Sequence, residues 1–142
     1  MLYSHYAYGQ EVFCCRFSTL NYFAVGIKNG DIYYYASPNT SVWNYTTTGG
    51  GSVFAVAFSQ DGTILSSGWG TGGGNQNIFT TNPVSSNTHT LSFAGAKDFK
   101  GLDYSPDGFT LASGDKDGNL RIHLVSDGYR QVFNDTGLNS IN

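Results

Sequence analysis

The feature that most constrains this chain is an internal repeat. Three stretches, "FSTLNYFAVGIKNGDIYYY" from Phe17, "FSQDGTILSSGWGTGGGNQNIFT" from Phe58 and "YSPDGFTLASGDKDGNLRIHLV" from Tyr104, open on an aromatic-Ser pair spaced by 41 and then 46 residues. Upstream of each pair runs an apolar trio at matching offsets: Val12, Cys15, Phe17; Val53, Val56, Phe58; Phe99, Leu102, Tyr104. Downstream come Gly26, Gly68 and Gly114, then an apolar marker at Ile32, Ile78 and Leu120. The glycine-to-marker distance is six residues in the outer units and ten in the middle one, where "GWGTGGGN" supplies the excess. From Ile32 to Phe58 and from Ile78 to Tyr104 the distance is 26 residues both times. A period of this length requires units that stack on one another, because a single unit cannot bury its own apolar face.

Each unit reads as four strands. In the third they are expected over Phe99–Tyr104, Thr110–Ser113, Leu120–Val125 and Tyr129–Asn134. Asp107-Gly108 and Asp117-Gly118 fall between the first three of these, where Gly accepts a positive φ and Asp bonds its own backbone; they are turns before they are chemistry. With 19 glycines, 15% aromatic and only 12% charged residues, the chain is unlike a helical protein and fits an all-β class. Within "IYYYAS", alternation puts Tyr33 and Tyr35 on one face and Ile32 and Tyr34 on the other.

Four-stranded units of about 40–45 residues are the pattern of β-propeller blades. The third stretch closely resembles the core of a WD repeat, and "FSQDGTILSSG" supports the likeness in the second; the resemblance runs from about Gln10 to Asn134. It implies a partial β-propeller built from about three four-stranded antiparallel blades. Residues 1–9 are read as an outer strand of a preceding blade, 10–48, 49–94 and 95–134 as the blades, and 135–142 as a tail or the start of a next one. There are departures. The strand-ending Trp of the family is replaced by Tyr35, Thr81 and His123, its following Asp by Ala36, Asn82 and Leu124, and the Gly-His pair before each blade by "TTTGGGS" and "SFAGAKD". Ser67 and Ser113 match the serine of the family's His-Ser-Trp network, which cannot form in its usual version, so apolar packing is expected to hold the blades.

Three blades leave two apolar sheet faces to cover. The chain is expected to be part of a longer propeller, to be completed by a protein partner or a second copy, or to stack in an open array. The resemblance implies a non-catalytic scaffold for protein–protein interaction within a larger, multi-subunit assembly. In family terms one rim is formed by Thr48–Ser52, Ala94–Asp98, Lys28–Gly30, Trp69–Asn75 and Asp115–Gly118, with Lys28, Trp69, Lys97, Asp98 and Lys116 as candidate partner contacts. The alternative is a self-assembling extracellular or surface repeat. Low charge and Asn-x-Ser/Thr triplets at Asn39, Asn44 and Asn134 favour it, while two unpaired cysteines and an N-terminus unlike a secretory signal oppose it.

Several chemistries are disfavoured. Gly68, Gly70 and Gly73 spell Gly-x-Gly-x-x-Gly, but a strand with a proline follows where a dinucleotide site needs a helix. His5, His89 and His123 sit in separate units without metal-ligand spacing, and no Ser-His-Asp grouping stands out, so no cofactor, metal or catalytic residue is assigned. A net charge of −3 offers no basic footprint for nucleic acid. No stretch approaches the ~20 apolar residues of a membrane-spanning helix. Adjacent Cys14 and Cys15 point to opposite faces of a strand and do not pair, which suits a reducing, cytoplasmic setting.

Overall fold

The computed structural model describes residues 9–37, 40–46, 51–70, 76–82, 87–93 and 98–136. They form three four-stranded antiparallel sheets, each an up-and-down meander. The first comprises β1 (Val12–Phe17), β2 (Phe23–Ile27), β3 (Asp31–Ser37) and β4 (Thr40–Thr46). The second comprises β5 (Ser52–Phe58), β6 (Leu65–Gly70), β7 (Gln76–Asn82) and β8 (Asn87–Phe93). The third comprises β9 (Phe99–Tyr104), β10 (Thr110–Asp115), β11 (Leu120–Leu124) and β12 (Arg130–Asp135). One 3-10 turn at Val125–Asp127 separates the last two strands, so the third expected strand ends one residue early.

The first hairpin of each sheet turns on the aromatic-Ser pair. Ser59 Oγ donates to Asp61 Oδ1 at 2.6 Å and accepts the Ile64 amide at 3.0 Å; Ser105 Oγ and Asp107 repeat the arrangement with the Thr110 amide. Gly62 and Gly108 close these turns at φ 74° and 76°. The first unit has no Asp-Gly there, and Asn21 adopts φ 61° instead, a left-handed conformation that Asn tolerates better than most side chains. Ser18 Oγ still accepts two amides, those of Leu20 and Tyr22. Asp61 and Asp107, both exposed in these turns, are held below the usual carboxylate range chiefly by the serine hydroxyls.

The sheets stack through their leading strands: β5 packs on β1 and β2, and β9 packs on β5 and β6. The first junction buries Ala24, Ile32 and Tyr34 against Val53, Val56 and Leu65. The second buries Ala55 and Ala57 against Phe99, Leu102 and Tyr104. Tyr33, Tyr35 and Ile27 form a separate cluster on the other face of the first sheet, as strand alternation requires. The second junction also carries a polar seam: the hydroxyls of Ser66 and Tyr104 lie 2.7 Å apart, and those of Tyr104 and Tyr129 lie 2.9 Å apart.

Every leading strand has the same irregularity. Its register with the next strand slips between Val12 and Cys14, between Val53 and Ala55, and opposite Gly114 and Asp115 between Phe99 and Gly101. Each slip inserts one extra residue, a β-bulge, at Phe13, Phe54 and Lys100 respectively. The bulge explains how trio members three residues apart, such as Val53 and Val56, both reach the same neighbouring sheet.

Candidate functional site

Antiparallel meanders gather alternate loops at one end. The starts of β1, β5 and β9 and the β2–β3 and β10–β11 turns therefore share a rim. The first and third sheets build it in the same way. The Lys28 amide donates to the Glu11 carbonyl at 3.0 Å, and the Lys116 amide donates to the Asp98 carbonyl at 3.0 Å. Each brace fixes a turn whose lysine is exposed. Lys28 Nζ lies 2.9 Å from Glu11 Oε1, with both side chains more than half exposed, so this ion pair adds little stability. The Lys28 carbonyl accepts Ser52 Oγ at 2.7 Å, tying the first sheet's turn to the entry of the second.

The β10–β11 turn is anchored from beneath. Asp115 is fully buried and accepts Arg121 Nη1 at 2.8 Å, two bonds from the Asn119 side-chain amide, and the backbone amides of Asp117 and Asn119. Burial by itself would raise the Asp115 pKa, but the Arg121 and Asn119 hydrogen bonds outweigh it and keep the carboxyl ionised. The turn that presents Lys116 is thus rigid.

Inside the arc the three bulges line up. Phe13 stacks on Phe54 at 5.3 Å between centroids, and Lys100 Nζ sits 3.3 Å from the Phe54 centroid while reaching to 3.7 Å from Asp98. With Arg16 these residues border a concave surface of about 440 Å³. Arg16 and Lys100 bring two cations to this surface, and the Phe54 ring is already engaged by both Phe13 and Lys100.

Of the five candidate contacts, Lys28 and Lys116 are exposed on the rim. Asp98 lies on the same rim but is only 7% exposed, so it braces the site more than it offers a surface. Trp69 is not available as a contact: it is 8% exposed and packs in the first junction with Val53 and Leu65, because register places it opposite Val53. Lys97 lies outside the described residues, as do Thr48–Gly50, Thr71–Asn75 and Ala94–Ala96 of the expected loops. Among the glycosylation triplets, Asn39 is also outside them, whereas Asn44 and Asn134 lie within strands β4 and β12. The column Phe13–Phe54–Lys100 was missed, although the three-then-two spacing of each apolar trio carries its signal.

Other titratable groups lie within the strands. His123 is fully buried with Nε2 3.4 Å from Ser113 Oγ, and burial lowers its pKa, so it is neutral at pH 7. A histidine at the Trp position thus keeps a bond to the serine. Cys14 is pressed against the second sheet and its thiol pKa is pushed up to about 12, mainly by burial; Cys15 is exposed on the other side. Among the described residues, no cluster of His, Cys, Asp and Glu could hold a metal ion, and no helix is long and apolar enough to cross a membrane.

Comparison with known proteins adds to this geometry. A family described as "WD domain, G-beta repeat" matches residues 40–78 and 85–123, more than half of the chain. The windows are staggered by one strand against the sheets: the first runs from β4 to β7 and the second from β8 to β11. Each sequence repeat thereby supplies the last strand of one sheet and the first three of the next, which ties neighbouring sheets together. No curated protein matches the chain. Among solved structures, one titled "Crystal Structure of Mitotic Checkpoint Complex" aligns with TM-score 0.76 at 22% identity, covering 92% of this chain and 39% of the other. "Structure of U3-55K" aligns with TM-score 0.77 at 17% identity, covering 96% and 41%. At these identities the likeness is one of fold, and this chain spans about two fifths of the length of those it matches.

Proposed function

This chain belongs to the WD-repeat family, and from that premise we propose that it is a non-catalytic scaffold segment whose lysine-bearing rim binds protein within a multi-subunit assembly. WD-repeat domains generally serve as protein-interaction scaffolds. The observation that carries the reading here is the repeated brace. Two sheets independently fix a turn to the entry of their leading strand and point a lysine outward from it. A stiff sheet with a short anchored loop loses little entropy on binding, which is how a scaffold gains affinity from few contacts. None of the four lysines, Lys28, Lys97, Lys100 and Lys116, falls in a loop of the opposite rim, so the two ends of the sheets differ in what they can recognise. An acidic protein surface with aromatic side chains suits this rim and the concave column beside it. The free thiols Cys14 and Cys15 support a cytosolic setting.

The test is capture of proteins by the tagged chain, compared with the Lys28→Glu/Lys116→Glu variant. Both positions are exposed, so the variant should keep its fold and circular dichroism. Capture should fall about tenfold or more, the equivalent of ~1.4 kcal/mol. Equal capture by the folded variant would refute the rim as the binding surface.

A further inference from the structure

β12 is the least secured strand of the third sheet. Val132 and Phe133 are 47% and 46% exposed, and no residue of the strand is buried. Its ladder with β11 slips between Ile122 and His123, whose partners are Phe133 and Gln131, so Val132 is an extra, bulged residue. The chain enters the strand through two left-handed residues, Gly128 at φ 60° and Tyr129 at φ 63°. For tyrosine that conformation is strained and persists only where its surroundings hold it. The Tyr129 hydroxyl supplies one such hold, 2.9 Å from that of Tyr104. A strand with few buried contacts opens locally well before the whole domain unfolds.

His123 lies against this weak point. Its side chain is fully buried, in register with Leu111 of β10 and Gln131 of β12, and its ring also hydrogen-bonds the Tyr129 backbone. Ser113 Oγ, at 3.4 Å, is at the long limit of a hydrogen bond. The charged groups around it are committed elsewhere. Asp115, on the same face of β10, is bound by Arg121 and Asn119, and Arg121, on the same face of β11, opposes a second cation beside it. β9 brings the neutral Tyr104 hydroxyl, and Asp61 of the β5–β6 turn is engaged by Ser59 and Thr63. Asp127 and Arg130, on either side of the entry to β12, pair with each other. Across the junction, register puts His89 of β8 on the face of Ser66. A proton on His123 would thus make a buried cation without an anion of its own, a state relieved by letting the ring reach water.

We propose that β12 is an acid-sensitive strap on the third sheet. When His123 takes up a proton, the Tyr129 turn and β12 swing away, the imidazolium reaches water, and β9, β10 and β11 stay paired. Opening frees the edge of β11 and uncovers Arg121, which pairs with Asn134 of β12 and holds the anchor beneath Lys116. The strap is a property of the sheet and does not depend on what the rim binds.

Burial lowers the folded pKa of His123 below the ordinary value of about 6.5 that the open strap restores, so closure is fully supported above about pH 6.5 and is lost as pH falls toward the folded pKa. Each opening takes up one proton across that window, so the opening equilibrium should grow about tenfold per pH unit. Hydrogen exchange of the full chain, read by mass spectrometry and corrected for the pH dependence of intrinsic exchange, should show this gain in residues 125–135 and not in β9 or β10. His123→Gln, neutral at every pH, should abolish the dependence. The His5→Gln/His89→Gln variant, which leaves His123 as the only histidine, should keep it, and it decides the matter with the wild type if His123→Gln does not fold. Constant protection of β12 between about pH 5 and pH 7.5 would overturn the proposal. So would a gain shared equally by β9 and β10, or one that disappears in the His5→Gln/His89→Gln variant.

Discussion

Replacing Gly68 with alanine tests the stacking joint directly. The added Cβ would lie 2.7 Å from Phe99 Cβ and 3.4 Å from Leu102 Cδ1. Carbon atoms rest at ~3.5–4.0 Å, so the first contact is about 1 Å too short. Phe99 cannot swing away, because its Cβ is fixed to the β9 backbone in the middle of a buried cluster. Overpacking of this kind costs about 1–3 kcal/mol. Alanine recovers roughly 0.5–1 kcal/mol by restricting the unfolded chain. The net loss is about 1 kcal/mol, which for a domain of this size lowers Tm by ~3–4 °C. Thermal unfolding followed by circular dichroism should be run beside Gly101→Ala, where the new methyl meets open space and Tm should hold or rise. If Gly68→Ala unfolds at the same temperature as Gly101→Ala, the sheets do not meet at this glycine and the joint is wrong.

Asp115→Ala should cost about 3–5 kcal/mol in urea unfolding, since it strands the buried Arg121 guanidinium. The same carboxyl has a folded pKa below its unfolded value, so its stabilisation is complete above about pH 4 and is lost as pH falls through the folded pKa; Asp115→Asn should flatten that acid limb. Tyr104→Phe removes the hydroxyl that meets both Ser66 and Tyr129 and leaves the buried Ser66 short of a partner, a loss of about 1–3 kcal/mol in thermal unfolding. In native protein iodoacetamide should modify Cys15 first and Cys14 only on unfolding, because a thiol held near pKa 12 carries almost no thiolate at pH 8; equal labelling by mass spectrometry would contradict the burial of Cys14.

Much of this architecture was legible in the sequence because the repeat is a packing requirement. The trios, glycines and Asp-Gly pairs recur where sheets must meet and turn. The third sheet's strands begin within one residue of the expected positions, and Tyr33/Tyr35 separate from Ile32/Tyr34 by simple alternation. What escaped was whatever depends on a second partner in space. In the sequence Trp69 opens a rim loop as a candidate contact, yet the residue opposite it, Val53, belongs to a junction and draws it inward. Asp115 was overlooked beside Asp117 because only the fold brings Arg121 and Asn119 to it. The bulge column was visible as a spacing of three that pure alternation forbids, but which residues it aligns depends on the sheet-to-sheet register.

The rim itself is tested most directly by photo-crosslinking. A benzophenone amino acid placed at Lys28 or Lys116 reports one rim, and the same group at Thr63 or Phe109 reports the opposite one; all four positions are exposed. The account predicts that adducts with bound protein form from Lys28 and Lys116 and are absent from Thr63 and Phe109. Adducts from Thr63 or Phe109 alone would show that the chain is read from the other end of its sheets and would contradict the assignment.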